Sequence, residues 1–188
     1  MKKLLVAACA LFIVGCEDIG GTLNVLKSFS ATTEDGTQTI AVGSYDTSLN
    51  FKKKEVIATL KSAGKSTKIS INIPKGTSIP DNGTFEIKSS QSGQPFGVTG
   101  VNKTDETRSE NRVEYISCQT TRYENVCTPQ GCFTRPVNVI GQQQTEYYMS
   151  TVKRDMQLDL NADVDAVAHF AGVSNTTQKV IVRQSPCW

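Results

Sequence analysis

The amino-acid sequence predicts an all-β protein, built as an antiparallel β-sandwich or alternatively as an open β-barrel, and stapled by disulfides. Apolar and polar residues alternate with period two along several short runs, which is typical of strands with one buried face. Turn signals rich in Gly, Asn and Asp separate these runs at short intervals. No stretch after residue 22 shows convincing helical periodicity. Many short strands between regular turns favour a sandwich or a barrel.

The predicted strands follow in order along the chain. We place them near residues 23–30, 38–43, 53–61, 66–73, 84–89, 112–122, 137–150, 152–160, 164–171 and 178–184. The clearest inward-facing positions are Ile69, Ile71, Ile73, Met156, Leu158, Leu160, Val164, Ala166, Ala168 and Phe170. Turns are predicted at 34–36, 62–65, 81–83, 161–163 and 172–175. Residues 89–111 interrupt the pattern, as either a long loop or the seam between two small β units.

The first fifteen residues have the composition of an export signal. Two lysines precede an uninterrupted apolar run, Leu4–Val14, which is too short for a membrane span of about 20 residues. The boundary Ile13-Val14-Gly15-Cys16 resembles the lipobox of bacterial lipoproteins. That resemblance implies a signal peptide over residues 1–15, cleavage before Cys16, and acylation of Cys16, palmitate included. Residues 16–22 then form a lipidated tether that holds a β domain, residues 23–188, within about 20 Å of the membrane.

The resemblance also implies a location in the cell envelope, anchored by lipid, and we favour the outer membrane over the inner one. Glu17 resembles the acidic inner-membrane retention signals of some bacteria, although Asp is the usual residue there. Removal of Lys2 and Lys3 with the signal leaves 18 basic against 18 acidic residues, so the precursor's net charge of +2 says nothing about partners. A balanced charge excludes a nucleic-acid surface, which needs a basic stripe.

No catalytic or nucleotide-binding set can be assembled from the sequence. The string Ala63-Gly64-Lys65-Ser66 imitates the end of a phosphate-binding loop, but strand alternation rather than a helix follows it. The only histidine, His169, shares a strand face with Asp165 at a separation of about 13 Å, beyond hydrogen-bond reach. Asp155 and Asp159 are also too far apart to work as a pair. We predict a non-enzymatic protein without a cofactor.

Four cysteines remain after Cys9 leaves with the signal and Cys16 is acylated. An even number in an exported chain favours two disulfides. Zinc is the rival, with Cys127-x4-Cys132 as one half-site, but a second close pair is missing. Three connectivities stay open on the sequence. We predict Cys127–Cys132 across a short turn and Cys118–Cys187 at the C-terminal strand, and no metal site.

Aromatic and basic residues concentrate around the cysteine-rich segment. Tyr and Arg are enriched in binding hot spots because they combine large contact area with forked hydrogen bonding. The alternative is that the aromatic residues form cross-strand packing pairs. The candidate binding residues are Tyr115, Tyr123, Tyr147, Tyr148, Arg122 and Arg135, with Arg112 and Arg154 nearby.

Two segments of the body resemble uncharacterised predicted lipoproteins of predatory Gram-negative bacteria. They are the stretch from Pro74 to Phe96, and the Cys-rich loop with Glu146-Tyr147-Tyr148 and the terminal Cys187. This resemblance implies no activity. We therefore predict a lipid-anchored envelope protein with a binding or structural role toward a protein or a glycan. The alternative is a periplasmic carrier of a lipid or another apolar ligand.

Overall fold

The structure is a computed structural model, and it describes residues 18–162 and 165–188. Strands make up 76% of it and pair in one sheet of eleven antiparallel strands that does not close on itself. The predicted all-β, sandwich-like class is therefore confirmed. Within the described residues, no helix is both long and apolar enough to cross a bilayer.

The strands and the single short helix are assigned in chain order. They are β1 (Asp18–Val25), β2 (Phe29–Thr33), β3 (Gly36–Ile40), β4 (Gly43–Phe51), β5 (Glu55–Ser62), β6 (Lys65–Asn72), β7 (Gly83–Ile87), α1 (Ser89–Ser92), β8 (Gly97–Arg108), β9 (Arg112–Thr128), β10 (Gly131–Ala162) and β11 (Asp165–Gln184). The sheet order is β3-β2-β6-β5-β4-β1-β11-β10-β8-β7, and β9 pairs with β10.

The chain divides into two compact units. Unit 1 holds the described residues up to Thr104 and the segment Arg154–Ser174, and unit 2 holds Asp105–Lys153 and Asn175–Trp188. Strands β8, β10 and β11 contribute residues to both units. The division after Thr104 falls within 89–111. The long-loop alternative is wrong, because the stretch contains α1 and all of β8.

The apolar core of the described residues lies entirely in unit 1. Alternation along β6 buries Ile69 and Ile71, and the same pattern along β10 buries Met156, Leu158 and Leu160. Of the third predicted set, Val164 lies outside the described residues, Ala166 is half-buried, and Ala168 and Phe170 are buried. Each inward strand face thus removes one row of apolar side chains from water, which is the main favourable term in folding.

Two predicted turns are confirmed as hairpin turns. Ser62 pairs with Lys65, and the two residues between them, Ala63 and Gly64, have φ values of 48° and 77°. Positive φ at both central positions matches the right-handed twist of the flanking strands. Residues 63–66 are therefore a strand connection with no helix behind them. The turn at 34–36 likewise joins β2 to β3, where Thr33 pairs with Gly36.

The predicted tether over residues 16–22 is wrong from Asp18 onward, because β1 starts there and lies between β4 and β11. Ile19 is fully buried and pairs with Leu49. The two glycines of this segment look like a flexible linker in the sequence. Gly21 is instead a site of close approach, since a Cβ there would lie 2.1 Å from the carbonyl oxygen of Ala171.

The other strand predictions need three corrections. Strand β4 was missed because its sequence is mostly polar. The predicted strands 137–150 and 152–160 are parts of one strand, β10. The predicted turn at 172–175 lies inside β11. The turn at 161–163 ends on Asp163, which lies outside the described residues.

Candidate binding surface

Unit 2 contains a long two-stranded hairpin. Strands β9 and β10 pair without a break from Arg112↔Tyr147 to Thr128↔Gly131. The turn between them is closed by Cys127–Cys132, one of the two predicted disulfides. An isolated two-stranded hairpin is marginally stable in water. In the chain-entropy model so short a cross-linked loop stabilises by about 2 kcal/mol, which helps to hold this tip together.

The second predicted disulfide, Cys118–Cys187, ties β9 to the C-terminal segment. That segment runs along β10, where the backbones of Gln142 and Trp188 exchange two hydrogen bonds of 3.0 Å. Cys118 pairs with Gly141 in the ladder. A Cβ on Gly141 would lie 2.3 Å from the Trp188 carbonyl oxygen and 3.0 Å from the Cys187 Sγ. Glycine is therefore required where the segment crosses β10. Both cysteines of the zinc half-site, Cys127 and Cys132, are disulfide-bonded in the structure.

The hairpin continues beyond this point without a third strand. Among the described residues, those of β10 from 131 to 141 pair with β9 alone. We call residues 119–140 the hairpin arm. Its two strands, residues 119–128 and 131–140, each have ten residues and extend for about 34 Å at 3.4 Å per residue. Both faces of the arm are mostly exposed, in contrast to the strands of unit 1.

The two faces of the hairpin differ. Partially buried residues fall on one face, which includes Cys118, Val126, Val137 and Val139. The other face, which we call the open face, consists of the odd-numbered residues of β9 and their β10 partners. From 113 to 125 its β9 residues are all exposed. Large apolar side chains on it are Val113, Tyr115, Tyr123 and Ile140, exposed by 52%, 61%, 74% and 81%.

The structure divides the predicted binding residues among three places. Tyr115 and Tyr123 lie on the open face, but eight positions along one strand separate them by about 27 Å. Arg122 and Arg135 lie on the opposite face, where Arg135 pairs with Glu124 at 3.6 Å. These four side chains therefore do not converge on one pocket. They could contact only an extended partner.

Tyr147 and Tyr148 occupy opposite faces of β10, and each ring is covered by a cation. The Arg108 guanidinium lies 3.8 Å from the centroid of the Tyr148 ring, and the Lys179 ammonium lies 4.1 Å from that of Tyr147. Lys179 also contacts Glu114. Such cation–π pairs stabilise strand packing. These two tyrosines match the packing alternative better than the binding one.

Several exposed apolar residues of unit 2 were not singled out from the sequence. They are Val113, Ile116, Phe133, Ile140, Ile181, Val182 and Trp188. Trp188 packs edge-on against Tyr115, with ring centroids 6.3 Å apart. The sequence does contain a signal for them: β9 and the first half of β10 carry apolar residues on both faces, and neither face is buried. Large apolar side chains exposed together on one face are a feature of interaction sites.

The one histidine has an acidic partner that the sequence did not predict. His169 contacts Asp159 on the neighbouring strand, while Asp165 pairs with Lys27 at 2.7 Å. Asp159 lines a shallow cleft of about 460 Å³ on the outside of unit 1, together with Thr99 and Gln157. Among the described hydrogen bonds, the His169 ring makes none with a serine, threonine or cysteine. His169 and Asp159 therefore have the arrangement of a base and its orienting carboxylate, but no nucleophile is hydrogen-bonded to the ring among the described bonds.

The core of unit 1 offers little space for an apolar ligand. The cavity inside its core, lined by Leu23, Leu60, Phe96 and Phe170 among others, has a volume of about 20 Å³. Ligand pockets usually measure about 300–1,000 Å³. Among residues 18–162 and 165–188, no group of three or more His, Cys, Asp or Glu side chains could hold a metal ion.

Comparison with known proteins returns no relative of this chain. No protein-family model, no curated protein sequence and no solved structure matches it.

Proposed function

We propose that this protein is a lipid-anchored, non-enzymatic binding protein of the bacterial cell envelope that recognises an envelope protein through the open face of its hairpin. The observation that carries the proposal is the exposure of Tyr115, Tyr123 and Ile140 along a disulfide-closed hairpin. Aromatic rings with few rotatable bonds provide contact area at low entropic cost. An extended face about 27 Å long fits a partner that is itself extended.

A protein partner is favoured over a glycan by the aliphatic part of this face. Sugar rings stack on aromatic side chains, which would use Tyr115 and Tyr123 but not Ile140. Ile140 is 81% exposed, and Val113 is 52% exposed on the same face. Burial of such side chains contributes roughly 1.5–3 kcal/mol each when it is complete. The face therefore matches apolar protein surface better than a polysaccharide.

The anchor is proposed from the lipobox resemblance at Ile13–Cys16, which lies outside the described residues. We propose acylation of Cys16 and retention in the outer membrane. The carrier alternative is not favoured, because the core cavity of about 20 Å³ is far below the volume of an acyl chain or another apolar ligand.

Site-specific photo-cross-linking in the native host tests this function. A photoreactive phenylalanine analogue replaces Ile140 on the open face, and a matched chain carries it at Val42, which is 61% exposed in unit 1. We expect a discrete protein adduct from position 140 and none from position 42. Equal adducts from both positions, or an adduct only with polysaccharide, would overturn the protein-binding role.

Acylation is tested separately by metabolic labelling. Cells fed an alkyne-tagged palmitate should label the mature protein, and Cys16→Ala should abolish both the label and the membrane association. Separation of inner and outer membranes then locates the labelled protein. A mature chain that carries no acyl group would refute the anchor without affecting the cross-linking result.

A further inference from the structure

The outer edge of β9 is unprotected against strand pairing. Its other edge pairs with β10, and among the described residues no further strand lies beside it. Thr128 and Gly131 flank the two-residue turn, so the even-numbered residues of β9 exchange hydrogen bonds with β10. The Cα atoms of Cys127 and Cys132 are only 4.0 Å apart, which is typical of a non-hydrogen-bonded pair in an antiparallel ladder. The N–H and C=O groups of the odd-numbered residues therefore point outward.

The free edge of β10 in the arm is protected, in contrast to that of β9. Pro136 pairs with Tyr123, so its ring occupies the position where an outward N–H would otherwise lie. Proline at such a position blocks the addition of a strand. Strand β9 contains neither proline nor lysine. The chain therefore blocks one edge of the arm and leaves the other able to pair.

The charges of β9 are self-complementary about Cys118. The strand carries the same triplet pattern twice, Arg112-x-Glu114 and Arg122-x-Glu124. In an antiparallel pairing of two copies centred on Cys118, Arg112 lies opposite Glu124 and Glu114 lies opposite Arg122. All four side chains share one face, and the two-fold axis repeats each pair. Opposite charges directly across two strands are stabilising, and like charges there are destabilising.

The same register satisfies the backbone and aligns apolar side chains. It places odd-numbered residues opposite odd-numbered residues, as the outward N–H and C=O groups require. Between residues 113 and 123 the two copies would form about twelve hydrogen bonds, two for each wide pair. On the open face Val113 lies opposite Tyr123. A shift by one position would destroy both the hydrogen bonding and the charge pairing.

We propose that a second copy of this chain pairs with the β9 edge, antiparallel and with Cys118 next to Cys118 at the two-fold axis. The interface is isologous, so the assembly closes as a dimer. It goes beyond the proposed function, because it uses the edge of the hairpin and leaves the open face available. The dimer joins two open faces into one continuous surface.

Native mass spectrometry of the mature chain, extracted from membranes in detergent, tests the dimer. We expect a dimer for the wild type at micromolar concentration. Arg122→Glu places two like-charged pairs in the interface and should raise the dimer Kd at least tenfold. Arg183→Glu is the matched control, because it makes the same charge change at an exposed site of β11 in unit 2 and should leave the Kd unchanged.

A mixing experiment tests the register. Glu114→Arg alone should also weaken the homodimer, since the introduced arginine then faces Arg122 of the other copy. Mixed with the Arg122→Glu chain it should form the heterodimer preferentially, because both cross-strand pairs regain opposite charges. A monomeric wild type would overturn the proposal, as would equal Kd values for Arg122→Glu and Arg183→Glu. Loss of the adduct from position 140 with an unchanged dimer would refute the partner and not the dimer.

Discussion

Local hydrogen bonds set the charge state of two surface carboxyl groups in unit 1. The Ser70 hydroxyl donates to Glu55 at 2.6 Å and the Lys52 ammonium donates at 3.1 Å, and together they lower the pKa of Glu55. The Lys27 ammonium likewise lowers the pKa of Asp165. A carboxyl group whose pKa is lower in the folded state stabilises the fold above its unfolded pKa. That contribution is lost as the pH falls through the folded pKa.

Removal of the Ser70 hydroxyl should raise the pKa of Glu55. Ser70→Ala deletes the bond that contributes most to the lowering. We expect the carboxyl carbon of Glu55 to titrate at a higher pH than in the wild type, measured by NMR. The acid-dependent loss of stability should still begin near the ordinary Glu value of about 4.3, but it should be smaller and complete at a higher pH, because the folded pKa lies closer to the unfolded one. Ser66→Ala, at an exposed site of the same strand, is the control and should leave the titration of Glu55 unchanged.

Gly141 is the residue of unit 2 with the least tolerance for a side chain. Gly141→Ala would force a methyl group to within 2.3 Å of the Trp188 carbonyl oxygen. We expect displacement of the C-terminal segment at a cost of about 1–3 kcal/mol. Hydrogen exchange at Gln142 and Trp188 should accelerate. Gly20→Ala is the matched strand control, since nothing lies within 4 Å of the position that its Cβ would take, and normal exchange in Gly141→Ala would contradict this account.

At the scale of elements, α1 and the residues after it join two strands that otherwise barely meet. Strands β2 and β6 share a single registered pair, Thr33↔Ile69. The Gln94 side chain fills the gap: it accepts from the Thr32 N–H at 2.8 Å and donates to the carbonyl oxygens of Thr32 and Ser70. Its amide thus takes the place of a strand residue in the sheet.

Truncation of Gln94 should detach β2 and β3. Gln94→Ala removes three hydrogen bonds to the partly buried backbone of Thr32 and Ser70, each worth about 0.5–1.5 kcal/mol. We expect a loss of about 3 kcal/mol in the unfolding free energy of unit 1, measured by urea denaturation, with faster hydrogen exchange in β2. Gln91→Ala removes an exposed glutamine from α1, three residues before Gln94, and should cost less than about 0.5 kcal/mol, as is usual for surface changes. Equal costs would show that Gln94 is not the connector.

At the scale of the whole molecule, the start of β1 determines how closely unit 1 is held to its proposed anchor. With the proposed cleavage and acylation at Cys16, only Cys16 and Glu17 would precede β1, so at most about 7 Å of chain would lie between the proposed anchor and the sheet. Because β1 is paired on both sides, this end of unit 1 cannot detach without loss of core contacts at Ile19.

Protease treatment of intact vesicles should therefore fail to release the folded domain. A protease needs an unpaired segment of several residues, whereas the proposed cleavage before Cys16 would leave only two residues ahead of β1. Insertion of a Gly- and Ser-rich segment of about ten residues between Glu17 and Asp18 should make release rapid while leaving the fold unchanged. Release of the wild-type domain at the rate of the insertion variant would contradict the early start of β1.

Alternation located β6 closely, whereas it missed β4 in unit 1 and shortened β9 in unit 2. Ile69 and Ile71 alternate with polar residues because one face of β6 is buried and the other is wet. In the arm neither face is fully buried, so the sequence around Tyr123 and Phe133 does not alternate between apolar and polar residues. Because this alternation is missing, β10 was predicted as two strands. For the same reason, the binding residues were predicted as one cluster.

The sequence by itself determined the all-β class, the presence of two disulfides and the hairpin turn at 62–65, because strand alternation, cysteine parity and turn chemistry are local properties. Only the tertiary structure decided which residues are brought together, including which cysteines pair. It paired His169 with Asp159, buried Ile19 in a segment that resembled a tether, and packed Trp188 against Tyr115. Those outcomes depend on strand register and on neighbours distant in the chain, which no local pattern encodes.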